Sequence, residues 1–103
     1  MAYELRISER ADSQIDRLAS YLLTFLRNQQ ACAHFFDEIR QTLERLGEDP
    51  FCFKLCPEEP LARKGYRSAQ LPTMRYRMIF RIEGKKVYIV AVFHMLEDYT
   101  QKL

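Results

Sequence analysis

The stretch Tyr76–Phe93, YRMIFRIEGKKVYIVAVF, decides the fold. Its first half alternates. Tyr76, Met78, Phe80 and Ile82 point one way, and Arg75, Arg77, Ile79 and Arg81 point the other. A strand over Met74–Ile82 follows, with one face on a core and one in water, the pattern of an antiparallel sheet. Gly84 supplies the turn. Lys86–Phe93 is apolar from Val87 onward, which marks a central strand. So short a connection makes the two strands a hairpin.

Working outward, Gly65–Leu71 reads as a strand ahead of the hairpin. Residues 49–64 read as a loop, because Pro50, Pro57 and Pro60 fall there with Glu58 and Glu59. Within it Phe51, Phe53 and Leu55 alternate, enough for a brief extended edge. At the other end of the chain Tyr3, Leu5 and Ile7 alternate with Glu4 and Arg6, a short first strand over Tyr3–Ile7. Ser8 offers an N-cap, and Glu9 and Asp12 suit the positive end of a helix dipole. A first helix spans Glu9–Arg27 with an apolar stripe of Ala11, Ile15, Leu18, Ala19, Leu22 and Leu26. Asn28 and two glutamines break it. A second helix spans Gln29–Leu46 with Cys32, Phe36, Ile39, Leu43 and Leu46 on its stripe. Gly47 ends it and Pro50 forbids its continuation. The tail Met95–Leu103 has room for a last helical turn or two. The expected fold is α+β in the order β-α-α-β-β-β. An antiparallel helical hairpin packs on one face of an antiparallel sheet, and the other face shows its arginines.

The chain has 103 residues, 48% hydrophobic and 29% charged, which suits one globular domain, residues 1–103. A domain of this size leaves little room for a deep substrate pocket, so function belongs on a face or a shallow groove. The net charge of +2 hides an asymmetry: residues 1–50 carry −3 and residues 51–103 carry +5. From Arg63 to Lys86 eight basic residues stand against Glu83 alone. The only other carboxylates close to that face in sequence are Glu97 and Asp98. Like charges on one strand repel, and arginine suits bidentate binding of phosphate or carboxylate. The pattern points to an anionic partner, a nucleic acid or an acidic protein segment, with Lys64, Arg67, Arg75, Arg81 and Lys85 as binding residues beside Arg77. The bland reading of the same charges is a solvated face that keeps the protein dispersed.

Three cysteines, Cys32, Cys52 and Cys56, with no signal-peptide pattern argue against a secreted disulfide framework. A zinc site would need four converging ligands, while His34 and His94 lie on different elements. No apolar run reaches a membrane span. A cytoplasmic protein with no metal and no cofactor is expected. His34 reads as a surface or helix-contact residue. His94 closes the central strand, and Asp98 and Tyr99 follow. A histidine there has a role open to it as general acid or base, and Tyr99 as a proton donor or stacking ring. The alternative is a histidine at a strand end and a tyrosine packed on the sheet. No phosphate loop, nucleophile elbow or HExxH pattern is present.

These segments resemble the RelE/ParE superfamily of toxins from bacterial type II toxin–antitoxin (plasmid stabilisation) modules. The similarity runs through YELRIS, ERADSQIDRLASYL, ACAHFFDEIRQTLERL with its exit from Leu46 to Pro50, GYRSAQL and YRMIFRIEGKKVYIVAVFHM. It covers nearly the whole chain, and its strength lies in order and spacing. The resemblance implies a growth-arresting toxin neutralised by a cognate antitoxin. RelE-like members are metal-independent endoribonucleases that cut mRNA on the ribosome, whereas ParE-like members inhibit DNA gyrase without nuclease residues. Carried onto this chain, Arg77 matches the arginine of the RelE-type strand. His94 matches a histidine of several ribonuclease members, and Tyr99 stands in for a C-terminal tyrosine. The catalytic candidates are therefore Arg77, His94 and Tyr99. The further arginine of the RelE pattern is replaced by Met95 or Leu96, the tail is acidic, and the hairpin from Glu9 to Gly47 is longer than in RelE and closer to ParE. RelE-like mRNA cleavage is the first expectation. ParE-like inhibition of gyrase and a non-toxic binding module are the others.

Overall fold

The computed structural model describes residues 2–95. Four strands and three helices follow the chain as β1 (Glu4–Ile7), α1 (Glu9–Ser20), α2 (Gln29–Glu48), α3 (Glu59–Arg63), β2 (Arg67–Gln70), β3 (Tyr76–Glu83) and β4 (Lys86–His94). The sheet order is β1-β4-β3-β2. β2, β3 and β4 pair antiparallel, whereas β1 lies parallel to β4, so the sheet is mixed rather than wholly antiparallel. The apolar β4 is indeed central.

Ser8 caps α1 as its composition suggests: its Oγ accepts from the Ala11 amide at 3.0 Å. The first helix does not run on to Arg27 in α geometry. Tyr21–Phe25 widens into a π turn, and Arg27 takes a left-handed φ of 50° before Asn28 caps α2. Ala11, Ile15, Ala19 and Leu22 are buried, but Leu26, expected on the stripe, projects into water. On α2 the buried aromatic is Phe35, fully covered, while Phe36 is 45% exposed. The buried line of α2 includes the polar Glu38 and Thr42, so hydrophobicity alone places the stripe one residue too far round.

Both helices cover the sheet face that carries Tyr76, Met78, Phe80, Val87, Ile89 and Val92. The opposite face is covered too. A second apolar cluster joins Ile79, Ala91 and Phe93 to Cys56 and Leu61. Residues 49–64 are thus not simply a loop. They contain a 3-10 turn, Pro50–Cys52, one antiparallel bridge of Leu55 to Arg67, and α3. Once Ile79, Ala91 and Phe93 point outward together, they need a lid, and Leu61 provides it.

One irregularity sets the site. Ile79 stands opposite Ala91, yet Phe80 stands opposite Ile89, so Val90 is an extra residue, a β-bulge in β4. Two side chains from the start of the first helix take up the backbone near it. Ser8 Oγ donates to the Val90 carbonyl at 3.2 Å, and Gln14 Oε1 accepts from the Val92 amide at 2.8 Å.

Candidate functional site

The basic strand does not display its arginines as a row. Arg77 is only 7% exposed. Its Nη2 donates to Glu58 Oε2, its Nη1 donates to Ser68 Oγ at 3.3 Å, and its guanidinium stacks 4.8 Å from the Phe93 ring. Glu58 precedes α3, and it is the carboxylate that a search along the strand does not find. Arg81 pairs with Glu83 and lies 4.4 Å over the Tyr88 ring. Arg75 stands exposed just before β3, where its carbonyl accepts from the Met95 amide at 2.9 Å. Lys64 is exposed at the end of α3.

Arg67 and Lys85 belong elsewhere. Arg67 stands opposite Phe80, so it points to the helix-covered face, where its Nη1 donates to the Phe53 carbonyl at 2.7 Å. Lys85 lies over the Tyr3 ring at 5.3 Å, at the edge where β1 begins. The expected shared face of Arg67, Arg75, Arg77 and Arg81 is therefore divided between two sides of the sheet.

Arg77 and His94 are divided in the same way. Continued without the bulge, the register of Phe80 with Ile89 would set His94 opposite Arg75. With Val90 inserted, His94 stands opposite Tyr76, on the helix side, and Phe93 stands opposite Arg77. The His94 and Tyr76 rings meet edge to face, 5.4 Å between centroids. Burial pushes the Tyr76 phenol above its ordinary pKa. Tyr99 lies outside the described residues.

On its own side Arg77 lines an open groove of about 280 Å³ with Pro57, Glu58, Ser68, Gln70 and Met95. The nearby Cys56 is an unpromising nucleophile, since burial pushes its thiol up to about 11. All three cysteines are free thiols. Among the described residues no cluster of His, Cys, Asp and Glu is placed to hold a metal ion. Nor is any helix there long and apolar enough to cross a membrane.

A second polar centre escapes sequence reading. Glu38 of α2 is buried, 1% exposed. It accepts from the Thr73 amide at 3.1 Å, the Met74 amide at 3.0 Å and the Thr73 hydroxyl. His34 Nε2 approaches the same carboxylate at 2.9 Å. Burial pushes this carboxyl up. The Thr73 hydroxyl, the two amides and His34 outweigh that and hold it below its ordinary value. The signal available in sequence was a glutamate among the buried positions of α2, four residues after a histidine.

The family model for the ParE toxin of the type II toxin–antitoxin system parDE matches residues 5–99. The chain belongs to the ParE toxin family. Solved structures agree on the fold. The chromosomal ParDE TA system from P. aeruginosa superposes with a TM-score of 0.73 at 17% identity, over 90% of this chain and 96% of that one. The toxin–antitoxin complex RelBE2 from Mycobacterium tuberculosis gives 0.60 at 21% identity, over 91% and 99%. A conserved hypothetical protein from Helicobacter pylori gives 0.57 at 11% identity, over 92% and 97%. No curated protein matches the sequence significantly. This ParE-family chain thus has the expected superfamily fold, and the long hairpin that leaned toward ParE agrees with the family model.

Proposed function

We propose that this ParE-family toxin arrests growth by binding DNA gyrase, without cutting RNA, and that a cognate antitoxin neutralises it. The observation that carries this reading is the separation of Arg77 from His94. A ribonuclease of the RelE kind needs a cation at the phosphate and a proton-transfer group at the same reacting centre. Here the sheet lies between the two residues, and the guanidinium is already engaged by Glu58. The cost of freeing it adds to the barrier.

A protein target also suits what the surface offers. Tyr21, Leu23, Phe25 and Leu26 all remain exposed in or beside the π turn, and Phe25 stacks on Tyr21 at 5.1 Å. Exposed apolar side chains grouped at the end of a helical hairpin are the kind of feature that protein partners cover.

The test is a supercoiling assay with purified gyrase, run beside primer extension on mRNA after induction. Gyrase inhibition at stoichiometric toxin and uncut mRNA are expected. Phe25→Ser should raise the concentration needed for inhibition about tenfold while growth-phase mRNA stays intact. Unchanged supercoiling at saturating toxin would remove the gyrase reading. Cuts within codons that Arg77→Ala, His94→Ala or Tyr99→Phe abolish would restore the ribonuclease. Harmless expression without an antitoxin would leave a binding module.

A further inference from the structure

Where the first strand, the β3–β4 turn and the turn after α2 converge, cations and aromatic rings interleave. Lys85 Nζ lies 5.3 Å over Tyr3. Tyr3 meets Phe51 edge-on, with centroids 6.4 Å apart, and the Arg67 guanidinium lies 5.1 Å over Phe51. Arg45 continues the series 4.8 Å over Phe53. These residues come from four separated segments, which the fold brings to one end of the sheet. Phe51 remains 56% exposed despite carrying Arg67. Lys54 and Lys86 are exposed close by in the chain.

We propose that this end of the sheet is a binding surface for single-stranded nucleic acid. Phe51 is the stacking platform, and Lys85, Arg67 and Arg45 are the phosphate contacts. The chemistry favours that partner over an acidic peptide. A carboxylate ligand asks for cations alone, whereas an exposed phenyl ring flanked by cations offers a π-face to a base and charge to the adjoining phosphates. Cations already resting on ring faces are also held in position, so less freedom is lost when a strand binds. The surface lies away from the Arg77 groove, and the inference is independent of whether gyrase is the target.

The experiment is fluorescence anisotropy of a labelled 20-mer of thymidylate with the full chain at about 50 mM salt, where phosphate contacts are strongest. Micromolar binding that weakens steeply with salt is expected, the slope being about −0.7 for each phosphate contacted. Phe51→Ala should weaken binding about tenfold, the value of one lost base stack. Lys85→Glu should weaken it and flatten the salt slope by about one contact. Arg63→Glu, on the exposed side of α3, should change it less than twofold. Each variant is checked by thermal melting first. Absence of binding at 100-fold excess of protein would overturn the proposal. So would equal losses in Arg63→Glu and Lys85→Glu, which mean charge alone, or full retention in Phe51→Ala. A decaglutamate competing as well as the oligonucleotide would reassign the surface to an acidic peptide.

Discussion

Two buried charges organise this protein. Glu38 fastens the chain between β2 and β3 to α2 through two amides and a hydroxyl, and His34, one turn earlier on α2, meets the same carboxylate. Its carboxyl titrates below the ordinary value. The contribution to stability is therefore complete above the ordinary carboxylate range and is lost as pH falls through the folded value. Thermal melts taken from pH 7 down to pH 3 should show that loss, and Glu38→Gln should remove much of the pH dependence. The same substitution at neutral pH is expected to cost about 2–3 kcal/mol, because charge-assisted bonds to buried amides are weakened. Arg77 and Glu58 act as a pair. Removing one partner leaves the other charge poorly solvated, so Arg77→Met alone should cost about 2–4 kcal/mol. Adding Glu58→Leu should recover most of that loss. A double-mutant cycle in urea measures it, and additive losses would show that the pair is not coupled.

At the scale of elements the bulge in β4 matters most. Unbroken period-two alternation through β4 would put His94 on the face of Arg75, but only if every residue were paired. Val90 breaks the count. No turn residue or proline announces the insertion, because it sits inside an apolar run. Its partners are Ser8 and Gln14, more than 70 residues away in the chain. Gln14→Ala should leave the Val92 amide without its acceptor and cost about 1–2 kcal/mol, read from the shift in urea midpoint. An unchanged midpoint would mean that the bulge needs no such support. Helix α3 carries a related lesson. Three prolines and two glutamates make residues 49–64 look irregular, yet Leu61 and Cys56 are buried against the sheet.

For the whole molecule, the charge asymmetry of the sequence is real but does not form one basic face. Antiparallel register sends Arg67 to the helix side and Arg77 to the other, where Glu58 meets it. The basic residues then serve several local purposes: a buried pair, ring stacking and exposed charge. Such a distribution suits a protein that recognises others through surfaces, and it suits a single catalytic centre less well. That is why gyrase inhibition with uncut mRNA is the expected outcome for the intact toxin.

By itself the sequence determined the four strands and the two long helices in their order, though not α3, together with the hairpin of β3 and β4, the central place of β4, the cap at Ser8 and the similarity to the RelE/ParE superfamily. The elements and the cap follow from local periodicity and turn chemistry, legible within a few neighbouring residues, and the similarity follows from the order of motifs along the chain, so none of them depends on long-range register. Tertiary structure alone decided that β1 joins parallel, that Glu58 covers Arg77, that Glu38 is a buried anchor, and that His94 lies across the sheet from Arg77. The physical reason is the same in each case. A residue's face depends on long-range register, and a buried charge depends on partners from distant segments, so neither is written in the pattern around the residue itself.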